Sequence, residues 1–236
     1  MNTSVHAIEL SQLVLIFVPA LLVIVVMFFL SLRAGNALYA MARMLGQLLL
    51  IGYFLTFIFE AENPWVVFAV LTVMIGASSW IALNNSREHR RELFHASLLA
   101  IGLSGTLVLL VVVFGVLQPE PWYEPRVLIP LAGMIFANSM TSVSLTAERL
   151  QAELAHGDDW KTAVNTALQA GLIPMINSLF AVGLVSLPGM MTGQILAGVS
   201  PLIAARYQIM VMCMIFASGG FAIFLFVWLS RKILRN

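Results

Sequence analysis

The feature that most limits what this chain can become is a succession of long apolar runs, with charge kept to the stretches between them. They fall near residues 13–32, 38–59, 65–83, 98–117, 127–145, 172–187 and 207–229. A helix needs roughly 20 residues to cross about 30 Å of hydrocarbon. Every backbone N–H and C=O in that medium must be satisfied within the protein, so the runs are expected to be helices. Hydrophobic residues make up 61% of the 236 and charged residues 10%, against about 25% charged in a soluble domain. The expected fold is all-α, a single multi-pass membrane domain spanning residues 1–236 with seven spans. No Lys or Arg precedes the first run and no small-residue cleavage pattern follows it, so it reads as a retained span, not a removed leader.

Charge orients the set. Arg33, then Arg87, Arg90 and Arg91, then Arg149 and Lys161, then Arg231, Lys232 and Arg235 fall at alternate ends of the runs. Glu9, Glu60, Glu62, Glu120 and Glu124 hold the opposite ends, with Arg126 the basic exception. Basic loops stay cytoplasmic, which places the N-terminus outside and the C-terminus in the cytoplasm. An odd number of spans satisfies both ends.

Between the last two runs, residues 186–208 (SLPGMMTGQILAGVSPLIAARYQ) open on Pro188-Gly189 and close on Ser200-Pro201. The piece between the prolines is too short to cross, and backbone broken at membrane depth persists only inside protein or beside a wet cavity. Gly189 and Gly193 form a small-xxx-small pair suited to close helix approach. The expectation is a re-entrant gate over residues 188–201, folded back against the fifth run, with Gln194 facing Asn138 and Asn177. The plainer alternative is an outer loop whose glycines only pack helices.

Enzyme chemistry finds little footing. His6, His89, His95 and His156 share no metal-ligand spacing, acidic residues avoid the apolar runs, and neither lysine follows a glycine as a phosphate-binding loop requires. Cys213 is the single cysteine, so a disulfide framework is excluded. The polar residues within the runs instead form stripes. Met134, Asn138, Thr141 and Ser142 share one helical face of the fifth run, and Pro174, Asn177, Ser178 and Ala181 repeat the spacing on the sixth. Such groups commonly bond between helices, and they also line paths for solutes. Arg43 and Arg206 lie near run ends, where long cations reach for the interface, although a charge within a span is by default a functional candidate. The thirteen methionines, Met190-Met191 among them, are ordinarily core filler, and a thioether favours copper(I) over iron. Metal ligands are not assigned from the sequence.

The stretch Ile173-Pro174-Met175-Ile176-Asn177, continued by residues 183–196 and by Pro201, Ala205, Arg206-Tyr207-Gln208-Ile209 and Val211-Met212, resembles the signature of FetB-type permeases. Arg43, Gln47-Leu48 and Gly52 fit the pattern of the same family, and a looser likeness covers nearly the whole chain. These permeases are membrane subunits of ATP-binding-cassette transporters associated with iron export, with plant relatives linked to aluminium tolerance. The resemblance implies a cell inner (plasma) membrane location, a homodimer of permease chains and a separate ATPase subunit. It implies no cofactor on this chain, ATP-Mg on the partner, and no nucleic acid. Residues 146–169 then read as a cytoplasmic coupling segment, a helix broken at Gly157-Asp158-Asp159 with Trp160 starting the next. Glu153-Leu154-Ala155-His156-Gly157 is similar to the segments by which transporter permeases engage their ATPases, although the importer version has more residues before its glycine. Arg149, Glu153, Gly157 and Trp160 are the expected coupling residues. The expected path or gate comprises Asn138, Thr141, Ser142, Pro174, Asn177, Pro188, Gly189, Met190, Met191, Gly193, Gln194 and Arg206. An ATP-independent transporter or channel, and a non-transporting membrane anchor, remain as alternatives.

Overall fold

The computed structural model describes residues 9–60, 63–86 and 89–234. Glu62, Arg87 and Arg235 of the charge pattern, and His6, lie outside the described residues. Eight α-helices account for nearly all regular structure described: α1 (Leu10–Phe29), α2 (Ala34–Phe59), α3 (Pro64–Ala82), α4 (Arg90–Leu110), α5 (Pro125–His156), α6 (Trp160–Ala181), α7 (Gly189–Leu196) and α8 (Pro201–Leu234). α4 runs on without a break into a π-helical stretch, Val111–Leu117. Six helices, α1 to α5 and α8, are long and apolar enough to cross a membrane. The chain is an all-α membrane protein.

Two units emerge from the contacts, one within Met1–Ala61 and one within Glu62–Asn236. The first contains α1 and α2, which pack on each other. Its described side chains are almost all exposed, Ala34 being the buried one. Rows of uncovered Leu, Val and Phe suit lipid as solvent, where no hydrophobic drive pulls helices together.

The second unit has an interior. α4, α5 and α8 form its centre, with Leu93, Ile101, Ile135, Leu150, Ile223 and Phe226 fully buried. Prolines begin α3 and α5 where an N–H has no helical partner anyway, and the side chain of Asn63 accepts from Trp65 N at 2.9 Å to cap α3. Helices approach closely at Gly105, where a Cβ would stand 2.6 Å from Phe136 Cε1 and 2.9 Å from Ile135 Cγ2.

Packing also sorts the charges. Asn85 Nδ2 donates to Glu148 Oε2 at 3.1 Å, and the Arg90 guanidinium donates to Trp80 O at 2.8 Å while lying 3.9 Å from the Trp80 ring centre. The α3–α4 connection therefore meets the late part of α5. At the other end Trp122 packs against Phe68 and Phe114, each with ring centres 5.9 Å apart. Arg149, next to Glu148 on α5, lies at the Arg90 end, and Glu124 and Arg126 closely follow Trp122 at the other.

The sixth expected span needs correction. Residues 172–187 are not one helix; α6 begins at Trp160 and stops at Ala181. Asp159 sets its start by accepting from the Lys161 and Thr162 backbone N–H groups at 3.0 and 3.3 Å. Its end is a turn in which Gly183 takes φ +86° and an isolated bridge joins Val182 to Ser186. Leu184 and Val185, expected inside a span, are among the most exposed residues. α6 is not among the six apolar helices, yet it returns the chain from beside Thr146 toward the level of Met134.

Candidate translocation site

α5 is the spine of the site. Its 32 residues make about 48 Å of helix, well beyond a bilayer core of about 30 Å. Three cavities follow one another along it. The first, about 200 Å³, lies at the Trp122 end beside Arg126, Pro130, Met134, Met190 and Tyr207. The second, about 340 Å³, is walled by Met134 and Asn138 of α5, Ser178 of α6, Met190 of α7, and Gln208 and Met212 of α8. The third, about 60 Å³, takes in Asn138, Thr141, Ser142, Pro174, Met175 and Ser178. Met134 and Met190 are shared by the first two, and Asn138, Ser178 and Met212 by the last two. From Arg126 to Ser142 this series follows about 24 Å of α5.

The stripe expected on the fifth run thus lines the cavities along its length. Its polar atoms are partly tied back: Asn138 Nδ2 donates to Met134 O at 2.8 Å, Thr141 Oγ1 to Ala137 O at 3.0 Å, and Ser178 Oγ to Pro174 O at 2.9 Å. Their oxygen lone pairs remain for another partner. Gln208, only 5% exposed, keeps its Oε1 buried without a hydrogen-bond partner. An orphaned buried acceptor costs about 1–3 kcal/mol, so it marks a place suited to a ligand or water.

Past the third cavity the helices close. A Cβ on Gly171 would overlap Thr146 Oγ1 and stand 3.1 Å from Ser142 O, and one on Gly219 would overlap Met175 Sδ. Thr146 and Ser218 are fully buried there. Sequence reading missed Gly105, Gly171 and Gly219, and met Gln208 only within the family-like stretch, without a role at the site. Their signal was placement within helices (a glycine in α5-facing positions, an amide among apolar neighbours), which no motif spacing carries.

The broken segment stands where expected but packs differently. Pro188 precedes α7, which ends in a turn with Gly198 at φ +90° before Pro201 opens α8. α7 packs on α8, not α5, and faces α5 across the cavity that Met190 and Met134 line. Among the described residues, outside α7's own backbone, nothing lies within 4 Å of a Cβ on Gly189 or Gly193, so the close approach expected of them is not made there. Gln194 does not meet Asn138 or Asn177: its Oε1 is buried without a hydrogen-bond partner, Asn177 is exposed, and neither lines the cavities. Pro188, Gly189 and Met190 do line the central cavity, whereas Met191 and Arg206 line none of the three, and Arg206 is exposed.

The corner between α5 and α6 has the anticipated shape. Arg149 pairs with Glu153 one turn on, α5 ends at Gly157 with φ +94°, and Trp160 begins α6. The Thr162 hydroxyl, donating to Asp159 at 2.6 Å, leads the contacts that hold the Asp159 carboxyl below its ordinary pKa. No group of three or more His, Cys, Asp or Glu side chains capable of holding a metal occurs among the described residues.

Residues 10–234 match the pattern of UPF0014, described as an uncharacterised protein family. The chain belongs to the UPF0014 family. A UPF0014 membrane protein of Synechocystis, slr1647, is 38% identical over 196 residues, covering 77% of this chain and 76% of the relative. The probable iron export permease protein FetB of Escherichia coli is 30% identical over 216 residues, covering 85% and 82%. The protein ALUMINUM SENSITIVE 3 of Arabidopsis thaliana is 37% identical over 197 residues, covering 76% and 70%. No solved structure matches. The FetB-type resemblance read from the sequence holds, and one of these relatives is named a probable iron export permease.

Proposed function

We propose that this chain is the membrane-spanning permease subunit of an ATP-binding-cassette transporter in the cell inner (plasma) membrane, exporting iron or another metal or small solute. The observation that carries the proposal is the run of three cavities along α5, extending to the Arg126 level at the Trp122 end and stopping where the helices pack tightly at Gly171 and Gly219. A solute path occluded at one end is what alternating access needs. The name of the Escherichia coli relative supports iron and export. The N-terminus lies outside and the Arg90–Arg149 end faces the cytoplasm, in keeping with the charge partition. Two permease chains pair, and a separate ATPase subunit binds ATP-Mg.

The α5–α6 corner is the coupling surface. Arg149, Glu153, Gly157 and Trp160 contact the ATPase, while Asp159 fixes the corner by capping α6. Gly157 holds a left-handed conformation that other side chains adopt only under strain. Charge reversal at Glu153 also leaves Arg149 without its partner. The test is co-purification of the chain with its cognate ATPase, with iron efflux measured in the same cells. Glu153→Arg and Gly157→Val are expected to cut co-purified ATPase at least fivefold and efflux with it, at normal membrane levels of the permease. ATPase recovery unchanged by both substitutions would remove this corner as the coupling surface.

A further inference from the structure

We propose that the central cavity binds a soft monovalent cation, copper(I) or silver(I), through the thioethers of Met134, Met190 and Met212. The inference rests on taking this cavity as the substrate site of the permease, and it names the ligand class. Three observations carry it. Methionines from three different helices, Met134 of α5, Met190 of α7 and Met212 of α8, line one space of about 340 Å³. Core-filling methionines have no need to share a cavity wall, whereas a cation held by several soft ligands needs this convergence. Second, the polar groups beside them offer electron pairs. Ser178 donates its only hydrogen to Pro174 O and Asn138 donates to Met134 O. The Gln208 Oε1 on the same wall is buried without a hydrogen-bond partner, in a side chain 5% exposed. An unpartnered carbonyl dipole favours positive charge.

Third, the wall carries no Asp, Glu, His, Lys or Arg. An anionic solute finds no cationic partner there. A hard or borderline divalent cation finds no carboxylate or imidazole, the ligands it prefers over thioether. A soft d¹⁰ cation with one charge suits neutral sulfur ligands and is the less costly charge to desolvate. Methionines also line the neighbouring cavities, Met134 and Met190 on one side and Met212 and Met175 on the other, so one residue type continues along the path.

The experiment uses the full chain purified in detergent, with silver(I) nitrate as the probe in chloride-free buffer. Cys213 is exposed and would take silver itself, so all proteins carry Cys213→Ser. Isothermal titration is expected to show a saturable silver site. Met190→Leu and Met212→Leu should each weaken it at least tenfold, and the triple variant with Met134→Leu should abolish it. Met44→Leu, in the other unit, should leave it unchanged. Methionine and leucine are close in volume, so the fold is retained, and melting curves without silver verify this. Saturable binding that survives the triple variant, or no saturable binding at all, overturns the proposal and leaves a neutral solute as the better occupant. Loss of ATPase-driven transport with silver binding intact would instead sink the permease reading and spare this one.

Discussion

The two ends of the α5–α6–α8 bundle are built from the same residue types and packed in opposite ways. At the Arg149 end the glycines are filled: Gly171 receives Thr146, and Gly219 receives Met175. At the Trp122 end Gly189 and Gly193 have open space around them, and cavities stand between the helices. A small residue therefore does opposite things at the two ends. Where it is covered, it locks two helices at close range and shuts the path. Where it is bare, it leaves room for a short helix bracketed by Pro188 and Pro201 to change position. The contrast is between a covered end and a bare one, the asymmetry that the proposed gate would need.

The largest effect should come from breaking the tight end. Gly171→Leu or Gly219→Leu forces a side chain into space already held by Thr146 or Met175. Overpacking of a close-packed site costs about 1–3 kcal/mol, occasionally more. Melting temperature in detergent should fall clearly for both, and the expressed level should fall with it. Gly189→Ala at the open end meets nothing within 4 Å and should melt within about 0.5 kcal/mol of the parent. Equal losses at the two ends would erase the distinction.

A subtler effect is expected at the open end. Gly193→Leu places a large apolar group on α7 at a position where a Cβ meets nothing within 4 Å among the described residues. Normal membrane level with efflux reduced severalfold is the expected outcome, because the obstruction arises only when the gate closes or when a second permease chain packs there. Normal efflux at normal level would leave α7 as an ordinary outer turn.

The sequence made much of this legible, and its failures have one cause. Run length found the six apolar helices because it depends only on local composition, and it counted a seventh run that is not among them. The α5 stripe of Met134, Asn138 and Ser142 was visible because helical periodicity fixes which residues share a face. The helix stop at Gly157 and the start at Trp160 followed from capping chemistry within a few residues. Gly189 and Gly193 do not pack on another helix among the described residues of this chain, because a small-xxx-small spacing says that approach is permitted, not that a partner is there. Gly171 and Gly219 hold the real close contacts, and each partner is distant in sequence. The sixth run was misplaced for a related reason. Its apolar residues past Ala181 suggested a span, while the Asp159 cap fixed a start that hydropathy cannot see.

The smallest expected effect sharpens the closed end from outside the membrane. Asp159 lies at the corner that follows the tight packing, and its carboxylate accepts from Lys161 N, Thr162 N and the Thr162 hydroxyl. These bonds favour the charged form, with the Thr162 side chain foremost, and the pKa is lowered from its ordinary value. A depressed folded-state pKa means that the cap contributes fully above the unfolded-state pKa, about 3.9 for Asp. That contribution fades as pH falls from there through the lower folded value. Asp159→Asn retains an acceptor oxygen but no charge, so it should reduce melting temperature slightly at pH 7. The gap between parent and variant should narrow when the melts are repeated at pH 3, below the unfolded-state pKa of about 3.9, where the unfolded chain's carboxylate is mostly protonated. Thr162→Val removes the leading bond and should shift the parent's midpoint of that narrowing upward toward the ordinary carboxylate value. A gap that stays constant from pH 7 to pH 3 would show that charge at Asp159 does nothing for the corner, and that Gly157 alone shapes it.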